Sequence, residues 1–191
     1  MTTPAMESAR GGRVVDAAAV IAAHTRDVPD FPQPGVLFKD LTPLFADGPA
    51  FRTVVDAIIA QHTDGDGPRF DTVVGIEARG FVLAAAIAYS AGVGFVPVRK
   101  AGKLPGETHR QSYALEYGEA TLEVHSDAFP AGAKVLVVDD VLATGGTVAA
   151  TLALLERAGA EVSGICVVLE LSFLGGRARL APREVHALSV V

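Results

Sequence analysis

The chain has 191 residues, half of them apolar, a formal net charge of −6 and a single cysteine, Cys166. That length suits one domain with a substantial core. The negative charge argues against non-specific nucleic-acid binding, the lone cysteine (in an apolar run, hence a buried core thiol) excludes an internal disulfide, and the scattered histidines lack zinc-ligand spacing.

Residues 1–13 are small and polar and predict disorder, leaving 14–191 as the single domain. Val14 to Ala23 reads as a short helix. Asp27 to Pro43 then carries four prolines in seventeen residues, which forbids regular helix and stiffens the chain. Phe31, Val36, Leu37 and Phe38 are too apolar for a solvated linker, so the segment (a hood over about 27–45) predicts either a cap over a ligand or a strap on the core. Composition does not separate the two.

Pro49 to Gln61 has the spacing of an amphipathic helix. Thr63 to Arg69 reads as a polar loop and Thr72 to Ile76 as a short buried strand. The turn Glu77-Ala-Arg-Gly80 leads into an apolar helix, Phe81 to Ser90, closed by Gly92, and Gly94 to Val98 is the next strand. Phe81 to Val98 lacks charge, but Gly92, Gly94 and Pro97 interrupt it, so helix plus strand explains it better than a membrane span. The N-terminus shows no secretory pattern, and the expected compartment is the cytoplasm.

From about 100 to 118 a polar, Gly-containing segment predicts a long flexible lid loop, with Lys103, His109 and Arg110 able to reach an anion. Ala120 to His125 returns to the core as a strand. Val135 to Val138 reads as a strand buried on both faces, with Asp139 and Asp140 following at its C-terminal end. The loop Ala143-Thr-Gly-Gly-Thr147 precedes a helix over Val148 to Ala158, and Glu161 to Leu171 and Val185 to Val190 are the last strands. This rhythm of strand, helix and strand predicts a three-layer α/β fold on a parallel sheet, with ligands at the C-terminal strand ends. Glu77 to Gly80, Arg99-Lys100 and Asp139 to Thr147 all fall there.

The stretch from Val135 to Thr147 carries the chemistry. A strand, a Gly-rich turn and a helix N-terminus present free backbone N–H groups at the positive end of a dipole, which is an anion site. No Lys follows the glycines and the spacing is not Gly-x-Gly-x-x-Gly, so the commonest nucleotide loops are excluded. A phosphate beside Asp139 and Asp140 would be repelled, so the acids should face ribose hydroxyls or a divalent metal. A 5-phosphorylated ribose satisfies both halves; a βα turn with two solvated aspartates is the plain alternative.

Val137-Val-Asp-Asp-Val-Leu-Ala-Thr-Gly-Gly-Thr147 resembles the 5-phosphoribosyl-1-pyrophosphate (PRPP) signature of type I phosphoribosyltransferases. Asp30-Phe-Pro-Gln-Pro-Gly-Val-Leu-Phe-Lys-Asp40, Glu77-Ala-Arg-Gly-Phe81, Val98-Arg-Lys-Ala-Gly-Lys-Leu-Pro-Gly106 and Ser112-Tyr-Ala-Leu-Glu-Tyr-Gly118 are similar to the adenine phosphoribosyltransferases within that family. The resemblance implies transfer of 5-phosphoribose from PRPP to N9 of adenine, giving AMP and pyrophosphate, in a homodimer. Mg²⁺ would be carried by PRPP, with no direct protein ligand and a water bridge to Asp139. It implies that Asp139 and Asp140 hold the ribose side, and that Ala143, Thr144, Gly145, Gly146 and Thr147 cradle the 5′-phosphate. Glu77, Ala78, Arg79, Arg99 and Lys103 would serve pyrophosphate, with the Glu77–Ala78 peptide often cis and Arg99 tending to act across the dimer interface. Phe38 and Leu171 would sandwich the purine, backbone groups from Leu37 to Lys39 would read its edge, and Glu116 would handle the purine proton. A xanthine or hypoxanthine enzyme, and a non-catalytic PRPP-binding regulator on the same fold, are the alternatives.

Overall fold

The computed structural model describes residues 16–114 and 119–191. The elements in chain order are α1 (Ala17–His24), β1 (Arg26–Pro29), β2 (Leu37–Asp40), α2 (Thr42–Ala46), α3 (Gly48–Gln61), β3 (Thr63–Asp64), β4 (Gly67–Pro68), β5 (Thr72–Ile76) and α4 (Arg79–Ala91). They continue with β6 (Gly94–Lys100), β7 (Thr108–Ala114), β8 (Glu119–His125), β9 (Lys134–Leu142), α5 (Gly146–Arg157), β10 (Glu161–Glu170), α6 (Gly176–Leu180) and β11 (His186–Val190).

A seven-stranded sheet runs in the order β11-β10-β9-β5-β6-β8-β7. Its first five strands are mutually parallel, and β8 and β7 add an antiparallel ribbon beyond β6. The continuous apolar runs have a physical reason, since both faces of the sheet are covered. Alternate side chains divide between two cores. Val73, Leu136, Val138, Cys166 and Val168 pack with α1, α3 and α4. Val74, Val135, Val137, Ile165 and Val167 pack with α5 on the other face. The expected three-layer α/β architecture is therefore present. Cys166 lies in the first core, where burial pushes its thiol up to about 12, so it stays an inert hydrophobe.

Four local expectations are corrected. The proline-rich hood is not irregular: β1 and β2 pair antiparallel, Arg26 opposite Asp40 and Pro29 opposite Leu37. Three of its four prolines fall at the end of β1 and in the connecting turn, where no ladder N–H is needed, and Pro43 falls in the first turn of α2. The polar segment from 63 to 69 contains the small hairpin of β3 and β4. Within the lid expected as a loop over 100–118, the described residues 101–114 form a turn followed by β7, which pairs with β8 from Thr108↔His125 to Ala114↔Glu119. Finally, β9 runs to Leu142, so Asp139 and Asp140 lie within its C-terminal part rather than after it.

Candidate active site

The C-terminal ends of β5, β9 and β10 and the hood strand β2 enclose a cavity of about 700 Å³. Of the expected residues, Leu37, Phe38, Lys39, Glu77, Ala78, Arg79, Asp139, Asp140, Ala143, Thr147 and Leu171 line it. Thr144, Gly145 and Gly146 line a smaller adjoining recess of about 70 Å³ that shares Asp139, Ala143 and Thr147. Arg99 and Lys103 line neither. Glu116 lies outside the described residues.

The recess is the anion cradle. Helix α5 begins at Gly146, so the N–H groups of its first turn point into the loop without helical acceptors. Gly145 caps it with φ +77°, and a Cβ there would come within 2.7 Å of the Gly176 carbonyl oxygen. Only glycine permits both the left-handed backbone and that close approach. Thr147 Oγ1 donates to the Tyr113 hydroxyl at 3.3 Å, bringing the β7 arm down over the cradle.

The acidic pair stands on the cavity floor. Gly80, in the first turn of α4, lets that helix lie on β9: a Cβ there would sit 2.9 Å from the Val138 carbonyl oxygen and 3.0 Å from Asp139 Oδ1. Asp139 Oδ1 accepts from the Asp140 amide at 2.9 Å, and Arg79 Nε reaches Asp140 Oδ2 at 2.6 Å. Burial pushes the Asp139 carboxyl well above the usual range, and the neighbouring Asp140 charge pushes it further. Burial also raises Asp140, with Arg79 opposing. Two adjacent carboxyls, Asp140 buried and Asp139 half-buried at the cavity wall, with one guanidinium need more hydrogen-bond donors, and sugar hydroxyls supply donors without a second full charge.

The groups expected to meet pyrophosphate are paired with each other. The Glu77–Ala78 peptide is cis. Glu77 Oε2 accepts from the Lys100 amide at 3.0 Å and faces Arg99 Nε at 3.4 Å, while Oε1 pairs with Lys103 Nζ. Burial alone would raise the Glu77 carboxyl; Lys103, the Lys100 amide and Arg99 reverse that and hold it below its ordinary value. The site thus keeps two cations beside the cavity on one carboxylate, from which a polyanion can draw them.

The hood supplies an apolar slot. Phe38 packs edge-on against Phe31 with ring centroids 5.1 Å apart, and the Arg79 guanidinium lies 5.1 Å from the Phe38 centroid. As one strand of a two-stranded ribbon, β2 leaves alternate backbone groups unpaired toward the cavity side. Leu171, at the end of β10, provides the opposite apolar wall.

Sequence reading missed Tyr113, Phe173 and Leu174 on the cavity wall and the fully buried Glu123 beneath the lid. Phe173 and Leu174 directly follow the Leu171 wall, and Glu123 interrupts the apolar run from Leu122 to Val124. Both signals were legible. Glu123 Oε1 accepts from the Lys103 and Leu104 amides at 2.8 Å each, and Oε2 lies 3.3 Å from Arg110 Nε.

Among the described residues no cluster of three or more His, Cys, Asp or Glu is arranged to hold a metal ion. Asp139 and Asp140 alone do not make a cage, but they fit a Mg²⁺ that arrives on substrate phosphates and keeps its waters.

Residues 45–190 match the family profile of the phosphoribosyl transferase domain. The chain is 65% identical over 191 residues to an adenine phosphoribosyltransferase of Salinispora tropica, covering all of both chains. It is 69% identical over 180 residues to that of Salinispora arenicola, covering 94% of this chain and 93% of the relative. Among solved structures, the adenine phosphoribosyltransferase of Thermoanaerobacter pseudethanolicus superposes with a TM-score of 0.85 at 44% identity, covering 91% of this chain and 99% of that one. The Saccharomyces cerevisiae enzyme, solved with an iminoaltritol bisphosphate and adenine, gives 0.85 at 40% identity over 90% of this chain and 98% of its own. An anion cradle, an acidic pair and an apolar hood on a parallel sheet thus coincide with full-length relatedness, and the chain belongs to the adenine phosphoribosyltransferases of the phosphoribosyl transferase domain family.

Proposed function

We propose that this protein is a purine-salvage enzyme that transfers 5-phosphoribose from PRPP to adenine, forming AMP and pyrophosphate. The observation that carries it is the joining, in one cavity, of the anion cradle, the Asp139–Asp140 pair and the Phe38–Leu171 slot. The 5′-phosphate sits on the first turn of α5 and the loop from Ala143 to Thr147. The ribose hydroxyls donate to Asp139 and Asp140, which places C1′ toward the hood. Adenine lies between Phe38 and Leu171, its edge read by the backbone of Leu37 to Lys39.

In the reaction the C1′–O bond to pyrophosphate breaks as the N9–C1′ bond forms, and the N9 proton leaves to a base. Glu116 takes that proton in our reading, on the strength of the family resemblance alone. The positive charge that develops at the anomeric carbon is exposed to attack by water, so the β7 arm must cover the cavity during transfer. Pyrophosphate leaves with several negative charges, which Arg79, Arg99, Lys103 and the amides of the Glu77–Ala78 turn receive. Asp139 and Asp140 would face a Mg²⁺ that arrives on PRPP with its waters, and the ion would supply charge neutralisation on the pyrophosphate.

We further infer a homodimer in the cytoplasm, acting on small molecules without nucleic acid. No described helix is long and apolar enough to cross a membrane. The test is direct: PRPP and Mg²⁺ with adenine, hypoxanthine, guanine or xanthine, following nucleotide formation. AMP from adenine is the expected result. Turnover of an oxopurine in its place would favour the xanthine or hypoxanthine reading, and no turnover of any base would favour a PRPP-binding regulator.

A further inference from the structure

A second polar cavity, of about 230 Å³, opens at the other end of the sheet. It is lined by His62, Arg69, Ser163, Arg183, Glu184 and His186, around the start of β10 and β11. Along β10, Ser163 is roughly 25 Å from Leu171, using about 3.3 Å per residue. The cavity therefore shares nothing with the active site.

His62 is the informative residue. It is 2% exposed, and its Nε2 has no hydrogen-bond partner among the described residues. Its Nδ1 lies 2.9 Å from the Ile58 carbonyl oxygen. A carbonyl can only accept, so Nδ1 carries the proton and Nε2 of the neutral ring offers a bare lone pair. Burial lowers the pKa of His62, with His186 and Arg69 adding to the effect against the Ile58 bond, so the neutral form holds at neutral pH. Ser163 Oγ donates to the Val135 carbonyl at 3.1 Å, which leaves it, too, only lone pairs for the cavity.

The donors come from the rim. Arg69 spends one N–H on the Gln61 carbonyl at 2.7 Å. Neither Arg69 nor Arg183 is in an ion pair among the described residues. Glu184 is the one carboxylate there, and its charge also acts on Arg177. From the neighbouring elements, then, His62 faces Arg69, His186, Arg183 and Glu184, while the part of β10 that lines the cavity, Val162 to Ile165, is uncharged and the carboxylate of Glu161 stands just outside it. The site pairs cationic donors with unfilled acceptors. A fully deprotonated oxyanion satisfies the first and repels the second; an oxyanion that retains an O–H satisfies both.

We propose that this cavity binds hydrogen phosphate, with the Arg69 and Arg183 guanidinium groups on its charged oxygens and its O–H donating to Nε2 of His62. Sulfate, which has the same shape but no proton near neutral pH, is the discriminating probe. The full-length enzyme is kept saturated with AMP, so that the cradle at α5 is filled, and phosphate is titrated while the histidine ring resonances are followed by NMR. Those resonances report His62 itself, so their behaviour stands apart from whether adenine is the substrate.

The expected result is a saturable shift of His62 and His186 with phosphate, and binding of sulfate weaker by about tenfold near neutral pH, the cost of one unfilled buried acceptor. Acidification that protonates His62 turns Nε2 into a donor, and the preference for phosphate should shrink there. Arg183→Ala, an exposed change, should weaken phosphate by about tenfold through loss of a charge-assisted contact. A His62 signal that ignores phosphate, equal affinity for sulfate near neutral pH, or unchanged binding in Arg183→Ala would each overturn the proposal.

Discussion

Asp139 carries an electrostatic cost in the free enzyme that its neighbours only partly relieve. Burial raises its pKa well above the ordinary carboxylate value, and the Asp140 charge adds to that. The folded state therefore binds this proton more tightly than the unfolded chain, and stability falls as pH rises above the unfolded value of about 3.9. Asp139→Asn keeps the acceptor that meets the Asp140 amide and removes the charge. Its melting temperature near neutral pH should exceed that of the wild type by roughly 2–4 °C, a gain of about 1 kcal/mol, and the difference should vanish in acid below about pH 4. The same substitution should lower kcat/KM for PRPP about 10- to 100-fold, because one charge-assisted bond to the sugar is lost. Thermal melts at two pH values with one PRPP titration check both halves; a destabilised variant would mean that the pair is not strained in the free protein. Arg79 belongs to the same group, since its Nε holds Asp140 at 2.6 Å. A double-mutant cycle of Arg79→Ala with Asp140→Asn should give a coupling of about 1 kcal/mol or more in stability.

At the level of elements, both arms that border the site, the β1–β2 hood and the turn leading to β7, are pinned by a carboxylate at their base. Glu123 sits on β8 opposite Arg99 in one register and Arg110 in the other. Burial alone would raise its pKa, but the amides of Leu104, Gly102 and Lys103 together with Arg110 hold it below the ordinary value. The stability that it contributes is present above its unfolded pKa and is lost as pH falls through the lowered folded value. Glu123→Ala should strand those amides, cost about 2–4 kcal/mol in denaturant melts, and speed tryptic cleavage after Lys100 and Lys103; cleavage at the wild-type rate would remove the anchoring role. Asp40 does the same for the hood. It accepts from the Thr42 amide at 2.9 Å and its hydroxyl at 2.7 Å, and it pairs with Arg26 across β1 and β2. The Thr42 amide and hydroxyl first, then Arg26, hold its pKa at about 2. Asp40→Ala should cost about 1–2 kcal/mol and raise KM for adenine with little change for PRPP. The partners of neither anchor follow from local pattern, although Glu123 itself marks an apolar run. The ribbon of β1 and β2 joins residues 26 and 40 across a proline-rich turn, and the β7 strand alternates polar side chains because one face meets solvent. Strands such as Thr72 to Ile76 were legible because two covered faces demand a continuous apolar run. The cradle was legible because a left-handed Gly145 and a helix N-terminus leave a local signature.

For the molecule as a whole, the parallel sheet gathers the ends of β5, β9 and β10 at one edge, and three turns far apart in sequence meet there. The convergence of the turns after β5 and β9 was readable from the alternation of strands and helices, as was the place of Asp139 and Asp140 at the C-terminal end of β9; of the third expected turn, Arg99-Lys100, only Lys100 reaches the cavity wall. What a second chain contributes was not readable, because an interface has no periodicity of its own. The structure offers two linked observations. Arg99, expected to serve pyrophosphate, lines neither the main cavity nor its recess and is held at the side by Glu77. On the adjoining α4 and β6, Val82 is 47% exposed, Tyr89 90% and Phe95 37%, an apolar surface that a lone chain would leave in water. Both fit a homodimer formed over α4 and β6, in which Arg99 completes the site from across the interface. Light scattering on the wild-type protein should then give twice the 19.7 kDa of one chain. Val82→Glu together with Tyr89→Glu should place two charges in the interface and return a folded monomer, because neither side chain supports the core. Its AMP formation should fall by about tenfold or more if Arg99 is needed from the partner, comparable with the loss of one charge-assisted contact. A monomer with wild-type kcat/KM for PRPP would show that each chain holds a complete site, and an unchanged dimer would move the interface to another face.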